Sequence, residues 1–198
     1  MAINSFGTLK AAVSNWLARS DLATDAGTII SLAEANIRRD VRCRAMEQVA
    51  SGTLSAATLA LPTRFLEARR VQLGGEVQNY MNPNEWTLYE ESSSGVYTII
   101  GEEFHFQSSS AGYVINYWQA FAPFENDGDT NWLIENAPDV YLWASLEQAA
   151  IYIMDQAYAG MAAGQYQKAL QRLNVTEQKA RFGGPLFVRP QLTGLETR

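Results

Sequence analysis

Residues able to do acid–base, nucleophilic or metal chemistry are sparse in this chain of 198 residues. The single histidine, His105, alternates with Phe104 and Phe106. A general base needs a positioned partner, so His105 reads as a structural or exposed strand histidine. The single cysteine, Cys43, lies in RRDVRCR. Neighbouring arginines can lower a thiol pKa, but no second signal points to a reactive thiol. Paired carboxylates would suit a glycan hydrolase, with Glu102 or Glu103 set against Asp127. Adjacent strand residues face opposite sides, however, so Glu102 and Glu103 cannot both line one pocket. ENDGDTN resembles a calcium loop only in part. Counting back from Gly128, Asp127 and Glu125 have the right spacing and Pro123 cannot serve. No phosphate-cradling glycine loop and no Cys/His zinc spacing is present, and the NVT at 174–176 falls in a predicted helix. The expectation is a protein that is not an enzyme and holds no metal or cofactor.

Arg38, Arg39, Arg42 and Arg44 form the one basic cluster. Such a cluster can bind nucleic-acid phosphates. It can equally be a solvated helix face, with Glu34–Arg38 and Asp40–Arg44 pairs at helical spacing, and this second reading is preferred. The charge along the chain is segregated. Residues 1–70 carry nine Lys/Arg and six Asp/Glu, residues 71–167 carry thirteen Asp/Glu and no Lys or Arg, and residues 168–198 carry six Lys/Arg and two Asp/Glu. Four arginines set against so acidic a middle segment argue against a polyanion as the main partner. The segregation reads either as a solvated acidic surface or as two chain ends that meet in a weakly basic unit against an acidic middle, a polarity that would orient subunits or partners.

The elements that must position these residues fall into two kinds. Residues 9–18 predict a helix with Leu9, Val13, Trp16 and Leu17 on one face and Thr8 as its cap. A second helix is predicted over about 25–47, its apolar face formed by Ile29, Ile30, Ala33, Ile37 and Val41. From 48 to about 119 the pattern changes to short runs rich in β-branched and aromatic residues: TLALP, ARRVQL, EVQNYM, YTIIG, EFHFQ and YVINYW. A hairpin turning near Gly101 and a short helix in PNEWTLYEE are predicted there. Pro123 to Thr130 is a polar loop.

A helix starting at Pro138 follows, and it is apolar on every side. A soluble helix of that kind must be covered all round. AGMAAG, residues 159–164, is expected to break it before a last helix over 165–182. The tail GGPLFVRPQLTGLETR, with two prolines, is expected to be extended. The fold class is therefore α+β. The helical bundle of about four long helices comprises 1–47 and 131–182, with an inserted small antiparallel β-domain at 48–130 and an extended C-terminal arm at 183–198.

Several segments, in order, resemble the head-to-tail adaptor (connector) proteins of tailed bacteriophages, a group that includes the tail tubular protein A type. They are LKAAVSNWLARSDL, LAEANIRRDVRCRAME, LPTRFLEARRVQL, YTIIGEEFHF, TNWLIENAPDVYLWASLEQAA and YQKALQRLNVTEQKARFGGPL. The resemblance implies a structural ring, commonly of twelve copies, in the virion neck between head and tail. It implies portal protein and tail nozzle or tube protein as partners, with phage DNA passing through the lumen without sequence-specific binding. It also implies helices toward the portal and the β-domain toward the tail. Candidate subunit or portal contacts are Arg38, Arg39, Arg42, Trp132 and Trp143. On the arm, which is expected to run along the portal, they are Leu186, Phe187, Val188 and Leu192.

At 47% apolar and 18% charged, the chain can build a real core. No apolar run reaches membrane-spanning length, no secretion leader is visible, and one cysteine fits a reducing site of synthesis, which the resemblance implies is the bacterial host cytoplasm.

Overall fold

The computed structural model describes residues 2–87 and 95–181. Among the described residues, six α-helices and seven strands build an α+β fold. The helices are α1 (Phe6–Trp16), α2 (Ala26–Asp40), α3 (Pro83–Trp86), α4 (Trp132–Asn136), α5 (Pro138–Tyr152) and α6 (Gln156–Arg181). The strands are β1 (Glu47–Thr53), β2 (Thr58–Ala60), β3 (Phe65–Leu73), β4 (Glu76–Tyr80), β5 (Val96–Ile100), β6 (Glu103–Phe106) and β7 (Gly112–Gln119). The arm, with Leu186, Phe187, Val188 and Leu192, lies outside the described residues.

Helix α5 is the centre of the helical layer. Pro138 occupies its first turn, where the missing N–H leaves no bond unmade. Val140, Tyr141, Leu142, Ala144, Leu146, Ala149 and Ala150 are all buried. They are covered by α1, α2, α4 and α6, each of which packs against α5. The all-round apolar pattern is thus satisfied largely within one chain. Each fully buried Leu, Val or Ile side chain contributes about 1.5–3 kcal/mol.

Three expected boundaries move. α1 is capped by Ser5, not Thr8. Thr8 is the reciprocal partner, whose hydroxyl accepts the Ser5 N–H at 2.9 Å, and the pair forms a capping box. α2 ends at Asp40 instead of 47. Val41 is extended, and Arg42 turns back to donate through Nη1 to the carbonyls of Arg38 at 2.9 Å and Val41 at 2.7 Å. Arg42 and Arg44 therefore do not lie on the α2 helix. Finally, AGMAAG does not break the long helix. The break falls at 153–155, where Met154 takes a left-handed φ of 61° and Asp155 caps α6 by accepting the Tyr158 N–H at 3.0 Å. Gly160 and Gly164 run on inside α6 on its open side, so they weaken local propensity without ending the helix.

The strands form one sheet in the order β1-β7-β3-β4-β5-β6-β2. It is not wholly antiparallel, because β4 and β5 pair in parallel through Asn79–Val96 and Tyr80–Tyr97. The β5–β6 hairpin turns at Gly101, whose φ of 62° suits a residue without Cβ. The sheet has its own apolar cluster, with Val71, Tyr97, Phe104, Phe106, Ile115 and Tyr117 at its heart. A second cluster unites the helices and takes in Met46 and Trp118 from the sheet end of the molecule. Trp118 thus joins β7 to the helical layer.

Candidate functional site

The structure separates the four arginines into different jobs. Arg42 caps α2 and sits 4.0 Å from Glu67 on β3, where it ties helix to sheet. Arg44 belongs to a short 3-10 turn, 44–46, and its Nε lies 3.4 Å from Glu177 Oε2. Asp40 does not meet Arg44; it accepts the Tyr166 hydroxyl at 3.0 Å. Arg39 donates to Asn36 on its own helix. Arg38 and Arg39 are exposed at the last turn of α2, where positive charge complements the helix dipole. Two of the four guanidiniums are therefore committed to holding the fold together.

Trp143 is half-buried on α5 and meets Trp16 of α1 edge-on, with ring centroids 5.1 Å apart. Trp16 itself is 53% exposed, so it lies largely outside the expected core face of α1, while Leu17 beyond it still packs on the helical cluster. Trp132 opens α4 behind its cap Asn131, whose side chain accepts the Ile134 N–H at 3.0 Å. Leu133 and Ile134 are fully buried while Trp132 is half-buried. Both candidate tryptophans therefore pack one side on the helical cluster and keep another side open.

The structure adds a second apolar surface that sequence spacing missed. At the corner between α5 and α6, Ile151, Tyr152 and Met154 are exposed, Met154 to 88%. A helix apolar all round carries no mark of where its cover ends, so pattern alone could not find this corner.

Carboxylates at two positions are unusual. Glu34, on α2, accepts the Phe124 N–H at 3.2 Å and lines a cavity of about 530 Å³ with Arg38, Met46, Phe121, Pro123 and Tyr141. Burial pushes its carboxyl up to about 7, while the Phe124 N–H and the Arg38 charge pull less strongly the other way. Glu177 lies on the buried stripe of α6 with Tyr166, Leu170 and Leu173. An acid at helical spacing on an apolar stripe was the available signal for it. Burial first and Asp40 second raise the Tyr166 hydroxyl above the ordinary phenol range.

No catalytic constellation is assembled among the described residues. His105 stands opposite Thr58 and Thr98 in the sheet, with Phe104 and Phe106 buried on its other face. Glu102 and Glu103 are exposed at the β5–β6 turn. Asp127 is elsewhere, paired with Lys10 of α1. Its carbonyl accepts the Gly7 N–H at 2.9 Å. The carboxylate of Asp129 turns inward on its own loop and accepts the N–H groups of Glu125 and Asn126 at 2.7 and 2.8 Å. Cys43 is fully buried. Among the described residues, no group of three His, Cys, Asp or Glu side chains is placed to hold a metal ion, and no helix is long and apolar enough to cross a membrane.

What remains is a set of half-covered apolar groups, a polar girdle at the helix–sheet junction and segregated charge. That arrangement suits a surface that binds protein. A family model described as SU10 adaptor protein matches residues 4–189. No curated protein matches the chain.

Proposed function

The chain belongs to the SU10 adaptor protein family, a phage head-to-tail adaptor family, and from that premise we propose how it serves as a structural adaptor in the virion neck. Such an adaptor interacts with the portal and tail proteins of the phage and takes part in tail assembly. The proposal is that copies of the chain close into a ring, commonly of twelve, beneath the portal, and that DNA passes through the lumen without being read. The helical unit, 1–47 with 131–182, faces the portal as a bundle, the sheet unit of 48–130 faces the tail, and 183–198 is an arm.

The family match over nearly the whole chain carries this reading. Two structural features support it. Trp16, Trp132 and Trp143 are left partly open on helices whose other faces are buried, which suits cover by a neighbouring copy. Heterologous contacts of this kind close into rings when the rotation closes. Exposed cations at Arg38 and Arg39 lie in a chain whose 71–167 segment is wholly without Lys or Arg, which suits polar contact between unlike surfaces. Contact residues are proposed as Arg38, Arg39, Arg42, Trp132 and Trp143, with Leu186, Phe187, Val188 and Leu192 on the arm.

Imaging of the purified protein mixed with its portal tests the proposal. Rings seated on the portal are the expected result. Particles that stay monomeric and leave the portal bare would overturn it.

A further inference from the structure

The hairpin of α5 and α6 carries unlike surfaces at its two ends. At the corner Ile151, Tyr152 and Met154 are exposed, Met154 most of all. Two carboxylates rim them. Asp25 accepts the Tyr152 hydroxyl at 3.1 Å, and Asp155, exposed beside Met154, accepts only the Tyr158 N–H. Neither has a cationic partner among the described residues, whereas Asp21 is matched by Arg19 at 2.6 Å.

The second half of α6 has the opposite charge. Lys168, Arg172, Val175 and Lys179 fall at i, i+4, i+7 and i+11, which is one stripe of a helix, and all four are exposed. The inward stripe, with Tyr166, Ala169 and Leu173, lies on another side. Glu177, the one acid of α6, is buried there. None of the three cations has an ion-pair partner among the described residues. Lys168, Arg172 and Val175 line a shallow hollow of about 360 Å³.

Each surface holds what the other lacks. The corner is an apolar knob with an acidic rim, and the stripe is a hollow with a basic rim. From Asp155 to Lys168 a straight α-helix rises roughly 20 Å, so one chain cannot bring the two together without breaking α6. A partner of unrelated sequence would account for one of the surfaces. A second copy of the chain accounts for both.

We propose that the α5–α6 corner of one copy seats on the α6 stripe of the next, with Met154 in the hollow and Asp25 and Asp155 facing Lys168 and Arg172. A methionine is suited to the place, since its unbranched side chain adapts to irregular gaps. Because the two surfaces differ, the contact is heterologous and repeats from copy to copy. It rests on the reading that copies assemble, and it names the surfaces that meet.

Cross-linking of full-length chains, with and without portal, tests it. A M154C chain mixed with a V175C chain and a short bismaleimide should give a covalent dimer. Neither chain should cross-link alone, and the native Cys43 is buried. A second measurement uses K168E/R172E, which changes only exposed side chains. The concentration at which it sediments as an oligomer should rise at least about tenfold, with the melting temperature unchanged. A M154C chain that cross-links to itself would mean a two-fold contact at the corner and overturn the proposal. So would a mixture without cross-links made from chains whose parent forms oligomers, and that result leaves the ring reading standing. A parent that stays monomeric and leaves the portal bare would overturn both.

Discussion

The carboxylate of Glu177 on α6 accepts the backbone N–H of Arg44 at 2.7 Å, although 133 residues separate the two in the chain. Glu177 is 4% exposed, and its bond is charge-assisted. It fixes the end of α6 against the turn that leads from α2 into β1. Glu177→Ala would leave the Arg44 N–H without its acceptor and should lower stability by about 1.5–3 kcal/mol. Glu177→Gln retains an acceptor oxygen and should lose less than half as much. Urea denaturation of the two variants checks the order; equal losses would show that packing, not the bond, matters.

Glu34 gives a pH signature. Burial raises its folded-state carboxyl to about 7, from the ordinary 4.5 of a glutamate. The favourable contribution is therefore fully present below about 4.5 and is lost as pH rises through about 7. Glu34→Gln removes that loss while keeping an acceptor for Phe124. It should match the parent near pH 4.5 and exceed it by about 1–2 kcal/mol at pH 8.5, a value reduced because the group retains contact with water. Thermal melts across that range test the sign, and a variant less stable at pH 8.5 contradicts the assignment.

Met154 holds a φ of 61° in the corner between α5 and α6 and is 88% exposed. A residue with Cβ in the left-handed region costs about 1 kcal/mol. Met154→Gly removes that cost without emptying a core, and should raise stability by about 0.5–1 kcal/mol. Calorimetry is the check; a lower melting temperature would mean that the methionine side chain contributes packing that its exposure does not suggest.

Trp143→Ala tests the tryptophan pair. The ring is partly covered and meets Trp16 edge-on, so truncation in the isolated subunit should cost about 1–3 kcal/mol, below the figure for a fully buried aromatic. A disproportionate loss of assembly beyond that stability change, read by sedimentation, would place its open side in a contact between copies. Unaltered assembly would remove it from the interface.

Salt should act on association more than on the fold. A middle segment with thirteen acids and no Lys or Arg must approach basic surfaces for copies to join. Screening those pairs slows association. Sedimentation at low and high salt should show assembly falling while the melting temperature changes little, and assembly that ignores salt would count against the charge argument.

The sequence made the helical layer legible where apolar spacing was strong. Ile29, Ile30, Ala33 and Ile37 mark the inner face of α2, and the unbroken apolar character of α5 called for neighbours on every side. It misled where a local break had a distant cause. α2 stops short of 47 because Arg42 turns onto its last carbonyls and Glu177 holds the next segment from across the chain. β1 went unread because EQVASGT has no alternating apolar face, as suits a strand solvated on nearly all of its length. Gly160 and Gly164 looked like punctuation, yet the real break lies at Met154, a residue with no turn preference. The interface candidates were legible as residue types, but which sides of Trp16, Trp132 and Trp143 stay open depends on packing between elements far apart in sequence.

The placement of α5 also has a consequence during synthesis. α2 is complete by Asp40, but the helix that covers its apolar face ends at Tyr152. At a ribosomal rate of roughly 5–20 residues per second, the intervening chain takes about 6–22 seconds to emerge. For that interval the row of Ile29, Ile30, Ala33 and Ile37 has no lasting mate, while β1 awaits β7 in the same way. A nascent chain so arranged is exposed to cellular chaperones well before it can meet another copy of itself, and slowing or stalling translation between the two helices should raise its share of aggregates.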